Sequence, residues 1–219
     1  MNGSTDANQD DPATDPAWTE ACQITRMIVN ELHHAMLLNA IWWRCSTQVD
    51  ILDEMRGTTK GVAFDAIRDA VHMSLVQCIM RMHDRDSRTA SLDRMLRCLR
   101  SPELLATLER KSWARRFDIS KAVASATAIY ESDDYKVMRQ GLRALRDQMI
   151  AHLDMKPVEH GVQYGHEAAL LNLAAQVFQY LQLALTGTSD DFESASEQYA
   201  QCADEFWTHA ARPEIRGGK

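Results

Sequence analysis

Apolar side chains recur every three to four residues along most of this 219-residue chain, and this spacing constrains the fold more than any other feature. The first such run extends from about Trp18 to Met55, with a predicted break near residues 44–47. A repeat of three to four residues marks one face of an α-helix, whereas a half-buried strand alternates every two residues. Glycine and proline, which interrupt helices, number only 9 and 5. The sequence therefore predicts an all-α fold.

Short polar segments divide the apolar runs into a bundle of about seven helices. Glycines or clustered polar residues mark these segments as turns and loops: 57–61, 83–90, 155–165 and 186–189. Serines stand at predicted helix N-caps: Ser91, Ser101 and Ser132. No long linker separates the helices, so we expect a single domain over residues 17–211. A disordered acidic tail is expected over 1–16 and a flexible tail over 212–219.

Several classes of protein are disfavoured by composition. No run of eighteen apolar residues occurs, so neither a membrane span nor a membrane partner is expected. The N-terminus lacks the basic and apolar regions of a secretory signal. The five cysteines are scattered, without a CxxC spacing, which favours reduced thiols and a cytoplasmic location.

Charge is unevenly distributed along the chain. The formal net charge is −7, yet residues 81–146 carry 15 basic and 9 acidic side chains, a local balance of +6. A polyanion could bind this middle third although the whole molecule is acidic. The alternative is an ordinary solvated surface of mixed charge.

The helix predicted over residues 133–154 presents two different faces. One is apolar and ends in a histidine: Met138, Leu142, Leu145, Met149 and His152. The other is a basic stripe: Lys136, Arg139, Arg143 and Arg146. Six residues separate Arg146 from His152, which is about 9 Å along the helix axis and about 120° around it. One helix does not bring both head groups together, so the pattern favours a two-fold homodimer with a shared cleft.

Arginine and histidine together can perform phosphodiester chemistry. A guanidinium presents a fixed fork of donors to phosphate oxygens, and an imidazole exchanges its proton near neutral pH. The spacing alone is not specific, because Arg26 precedes His33 at a similar distance.

The seven residues 146–152, RDQMIAH, resemble the motif of the HEPN family (higher eukaryotes and prokaryotes nucleotide-binding). Its ribonuclease members carry an arginine, often followed by Asn or Asp, and then a histidine some four to six residues further on. The preceding segment CIMRMHDRDSRTASLDRMLRCL looks like the abortive-infection branch of that family. The resemblance covers most of residues 20–185. It implies a homodimeric, all-helical fold built on an up-down bundle.

The resemblance also implies a function, that of a metal-independent endoribonuclease. Arg146 and His152 would be the catalytic pair, Asp147 would orient them, and no metal or other cofactor would be needed. Arg139, Arg143 and Lys136 would bind flanking RNA phosphates. A role in phage defence by abortive infection, or as a toxin, follows from the same resemblance. So does restraint by an antitoxin or regulator that the sequence does not identify. Asp154 replaces a tyrosine that a nucleotidyltransferase modifies in one subgroup, so the chain departs from that pattern.

Three alternatives remain open. His152 is equally typical of a core or interface histidine, and the chain could be a catalytically inactive HEPN-like dimer that binds RNA or nucleotides or acts as a scaffold. Glu31-x-x-His34 has the spacing of a di-iron bundle, with Asp69-x-x-His72 as the nearest second copy. Asp84 is either a supporting residue of the site or a turn aspartate.

Overall fold

The computed structural model describes residues 16–86, 88–151 and 165–211, and no strand occurs among them. The all-α prediction is confirmed. The described residues form nine α-helices and a short 3-10 helix at Ser112–Arg115: α1 Pro16–Thr47, α2 Val49–Met55, α3 Thr59–Met82, α4 Leu92–Leu99, α5 Pro102–Glu109, α6 Ile119–Tyr130, α7 Asp133–Ala151, α8 His166–Thr186 and α9 Phe192–Ala211. The number exceeds the predicted seven partly because the first apolar run is divided at Gln48, whose backbone is extended.

The predicted serine caps are confirmed. Ser91 Oγ accepts a hydrogen bond from the backbone N–H of Arg94, and Ser101 Oγ accepts one from that of Leu104. Ser132 Oγ accepts from the N–H of Tyr135 at 3.3 Å, at the start of α7. Each serine satisfies one of the backbone donors that a helix N-terminus leaves without an intrahelical partner. Local sequence therefore fixes where α7, the helix with the motif, begins.

The described residues fall into two compact units. The first unit comprises residues 16–30, 81–135 and 173–190. Its fully buried side chains include Ile28, Leu92, Met95, Leu99 and Phe178. Tyr135, in the first turn of α7, is also fully buried there, and its hydroxyl lies 2.6 Å from His83 Nε2. The N-terminal end of α7 is therefore anchored in the core of this unit.

The second unit comprises residues 31–80, 136–151, 165–172 and 191–211. One of its apolar clusters joins α1, α2, α3 and α9: Cys45, Ile51, Met55, Phe64 and Trp207. Trp207 Nε1 donates a hydrogen bond to the carbonyl of Ile41 at 3.0 Å, so the indole is buried with its polar atom satisfied. The prediction of a single domain over residues 17–211 stays a prediction.

Within the described ranges, α8 is the one helix long and apolar enough to cross a membrane by length and composition. Half of that apolar window is buried inside the protein, and the core helix of a soluble protein meets the same criterion. The feature is therefore weak evidence for a membrane span. The cytoplasmic location stays a prediction.

Candidate active site on helix α7

The apolar face of α7 is buried unevenly. Leu142 is fully buried, whereas Met138 and Leu145 are half-buried. The side chain of Met149 and all of His152 lie outside the described residues. The structure therefore places the first three members of the predicted apolar face and not its histidine end.

The basic stripe of α7 is accessible to solvent. Lys136 and Arg143 are exposed, and Arg139 and Arg146 are half-buried. Their spacing of three, four and three residues keeps the four side chains on one side of the helix. These side chains can reach phosphate oxygens without displacing the core.

Arg146 forms an ion pair with its neighbour Asp147. Its Nε and Nη2 atoms both donate to Asp147 Oδ1, at 2.9 and 2.6 Å. The arginine side chain is 30% exposed and the aspartate 59%, so water screens the pair. Exposed pairs of this kind contribute about 0–1 kcal/mol. The contact places the guanidinium beside Asp147 and is weak enough to be exchanged for another anion.

The predicted partners of this arginine cannot be placed. His152, with which Arg146 would line the shared cleft of a homodimer, lies outside the described residues, as does Asp154. The catalytic roles of Arg146, Asp147 and His152 stay predictions.

The second arginine–histidine pair of similar spacing, Arg26 and His33, makes contacts that are typical of a structural histidine. His33 Nδ1 lies 3.1 Å from the hydroxyl of Tyr199, and its ring packs against Phe192 at 5.4 Å between centroids. Contacts of this kind indicate a histidine that fixes α9 against α1 within the second unit. Arg26 is exposed.

A sequence model of the family HEPN_AbiU2, described as AbiU2, matches residues 20–206. The chain belongs to this HEPN family. The match contains the whole 146–152 segment and extends beyond the predicted resemblance into α9. No curated protein and no solved structure matches the chain.

Asp84 has a local role in this HEPN protein. Its Oδ1 accepts a hydrogen bond from the backbone N–H of Asp86 at 3.0 Å, and its side chain is exposed. An aspartate that bonds the backbone two residues further on stabilises a turn. The contact supports the interpretation of Asp84 as a turn residue.

One part-buried polar contact of the HEPN chain lies outside the motif and was not predicted. His72 Nε2 donates to Glu167 Oε1 at 2.8 Å, and the His72 ring stacks on Trp42 at 4.6 Å between centroids. Glu167 is buried in the first turn of α8, where the helix dipole favours a carboxylate. No spacing rule links residues 95 positions apart, so this pair has no signal in the sequence.

Among the described residues, the two halves considered for a di-iron site do not form one cluster of metal ligands. His72 Nε2 contacts the Glu167 carboxylate, and Asp69 Oδ1 forms an ion pair with Arg68 Nε at 3.6 Å. Among the described residues, Glu31 and His34 instead converge with Cys78. Asp69 and His72 therefore do not supply a second Glu-x-x-His-like half beside Glu31 and His34.

The His72–Glu167 contact lowers the pKa of Glu167. Burial opposes ionisation of the carboxyl group, but several favourable interactions outweigh it: the hydrogen bond from His72, the backbone N–H of Glu167, and the charges of His72 and His166. A carboxyl group whose pKa is lower in the folded state stabilises the fold at pH values above its pKa in the unfolded chain, about 4.3. That contribution is lost as the pH falls through the folded-state pKa.

We expect His72→Phe to lower the free energy of unfolding by about 3 kcal/mol at pH 7, because it strands a buried carboxylate while keeping an aromatic ring on Trp42. Glu167→Gln should cost only about 1 kcal/mol, since an amide still accepts the hydrogen bond. Glu167→Gln should also remove part of the stability loss below pH of about 4.3. Urea denaturation followed by circular dichroism at several pH values measures both effects. Equal costs for the two variants would contradict this assignment.

Proposed function

We propose that this HEPN protein is a metal-independent endoribonuclease whose catalytic pair is Arg146 and His152. The observation that carries the proposal is the family match, which contains the complete RDQMIAH segment. The partly exposed position of Arg146 on α7 supports it, because a catalytic guanidinium must be reachable by RNA. The proposed site is a cleft that two copies of the chain share, each with its own arginine and histidine.

The reaction uses the ribose 2′-hydroxyl as nucleophile. Its oxygen bonds to the adjacent phosphorus while the bond from phosphorus to the 5′-oxygen breaks, which leaves a 2′,3′-cyclic phosphate and a 5′-hydroxyl. One imidazole takes the 2′-hydroxyl proton or gives a proton to the 5′-oxygen, and the imidazole of the second copy or a water molecule makes the other of these two transfers. Arg146 stabilises the negative charge that builds on the phosphate oxygens in the transition state. DNA lacks the 2′-hydroxyl and therefore resists.

The neighbouring side chains position the substrate in this proposal. Asp147 holds the Arg146 guanidinium before RNA binds and is exchanged for a phosphate oxygen when it does. Lys136, Arg139 and Arg143 bind phosphates on either side of the cleaved bond. The exposure of Lys136 and Arg143 supports this role.

The biological role follows from the family in the same proposal. An enzyme that cuts cellular RNA during phage infection would arrest its host, by abortive infection or as a toxin. Such an enzyme needs restraint by an antitoxin or another regulator in the cytoplasm.

Cleavage in the presence of EDTA tests the proposal. The purified chain should cut single-stranded RNA and leave DNA of the same sequence intact, and the new 5′ ends should be hydroxyls that polynucleotide kinase labels directly. A requirement for Mg²⁺ or products with 5′-phosphates would exclude the mechanism. Absence of cleavage would favour a catalytically inactive HEPN-like dimer that binds RNA or nucleotides or acts as a scaffold.

A further inference from the structure

A carboxylate, an imidazole and a thiol converge in the second unit. Glu31 and His34 lie three residues apart on α1, and therefore on one face of that helix. Cys78 belongs to α3. One ligand atom from each side chain lies within 4.8 Å of the other two. His34 Nδ1 and Cys78 Sγ are 3.7 Å apart.

These distances suit a tetrahedral metal ion. Zinc binds sulfur at about 2.3 Å and imidazole nitrogen at about 2.0 Å, so these two ligands lie roughly 3.6 Å apart in a tetrahedral site. The 3.7 Å from His34 Nδ1 to Cys78 Sγ is close to this tetrahedral separation. The longer, flexible side chain of Glu31 can bring its carboxylate oxygen to the same ion.

We propose that Glu31, His34 and Cys78 bind one Zn²⁺ ion, with water in the fourth position. A thiolate, an imidazole and a carboxylate are all zinc ligands, whereas Mg²⁺ and Ca²⁺ prefer oxygen alone. Cys78 is 1% exposed and His34 is exposed, so the ion enters from the imidazole side and reaches the sulfur last. The Cys78 thiol releases its proton to solvent as the zinc–sulfur bond forms.

The bound ion fastens α1 to α3 within the second unit. The site binds one metal ion and not two, because its third ligand is a thiol from α3 and not a second Glu-x-x-His pair. It takes no part in the proposed phosphodiester chemistry, which needs no metal. Since EDTA would remove this ion, circular dichroism recorded in EDTA separates a loss of fold from a loss of nuclease chemistry.

Cobalt is the spectroscopic probe for the site. Titration of Co²⁺ into the full-length, metal-stripped protein should produce a thiolate-to-cobalt charge-transfer band in the near ultraviolet and visible bands of tetrahedral intensity. Both should saturate at one ion per chain. Zinc should abolish the bands, and excess Mg²⁺ should leave them unchanged. A wild-type protein without these bands would overturn the proposal.

Two variants keep the test independent of folding. Cys78→Ser should lose the charge-transfer band. His34→Gln changes an exposed side chain and should weaken zinc binding more than roughly 100-fold, because loss of even an outer-shell partner costs 10–100-fold. Cys202→Ser is the matched control, since it removes an exposed thiol of α9 outside the cluster and should keep the band. A band that survives Cys78→Ser, or an unchanged zinc affinity in His34→Gln, contradicts the site.

Discussion

Replacing His152 with alanine is expected to lower the rate of RNA cleavage by about 10²–10⁴-fold, the usual contribution of a positioned general acid or base. The physical reason is that the proposed mechanism assigns a proton transfer near neutral pH to this imidazole. The decrease should appear in kcat at saturating RNA, because the imidazole acts on the reacting oxygens and not on the bound ground state. Single-turnover cleavage of a labelled RNA in EDTA measures it.

The matched control for this variant is His209→Ala. His209 is exposed on α9, and its Nδ1 lies 2.7 Å from the carbonyl oxygen of Glu205. Its removal should leave cleavage unchanged. An active His152→Ala protein with wild-type circular dichroism would show that this histidine is not the proton-transfer group.

The second large effect concerns the guanidinium. Arg146→Ala is expected to lower kcat by about 10²–10³-fold, as loss of a preorganised donor to a developing anion does. Arg146→Lys should recover only part of this loss, because an ammonium keeps the charge and lacks the planar fork. Asp147→Asn should cost far less than Arg146→Ala, since it weakens an ion pair of about 0–1 kcal/mol but keeps the guanidinium that stabilises the transition state.

Arg26→Ala is the control for the arginine series. Arg26 stands before His33 as Arg146 stands before His152, and its side chain is exposed, so the substitution changes the same charge without strain. Its cleavage rate should equal that of the wild type. If Arg26→Ala and Arg146→Ala reduced cleavage equally, the effect would arise from net charge and long-range attraction of RNA, and the assignment of Arg146 would be wrong.

The sequence predicted those features that depend on neighbours a few residues apart. Apolar spacing gave the all-α class, and Ser91, Ser101 and Ser132 marked helix starts that the structure confirms. The HEPN resemblance rested on seven consecutive residues, and the family match confirms it. Each of these signals is local because helix hydrogen bonds and caps join residues three or four positions apart.

Contacts between distant residues depended on the tertiary structure. His72 meets Glu167 across 95 positions, and Trp207 meets the Ile41 carbonyl across 166. Cys78, which the sequence left as one of five scattered thiols, comes within 3.7 Å of His34. The HEPN sequence thus determined by itself which segments are helical and which segment carries the ribonuclease-like motif. Only helix packing decided which buried polar groups meet, because that choice depends on how side chains from separate helices fill a common core.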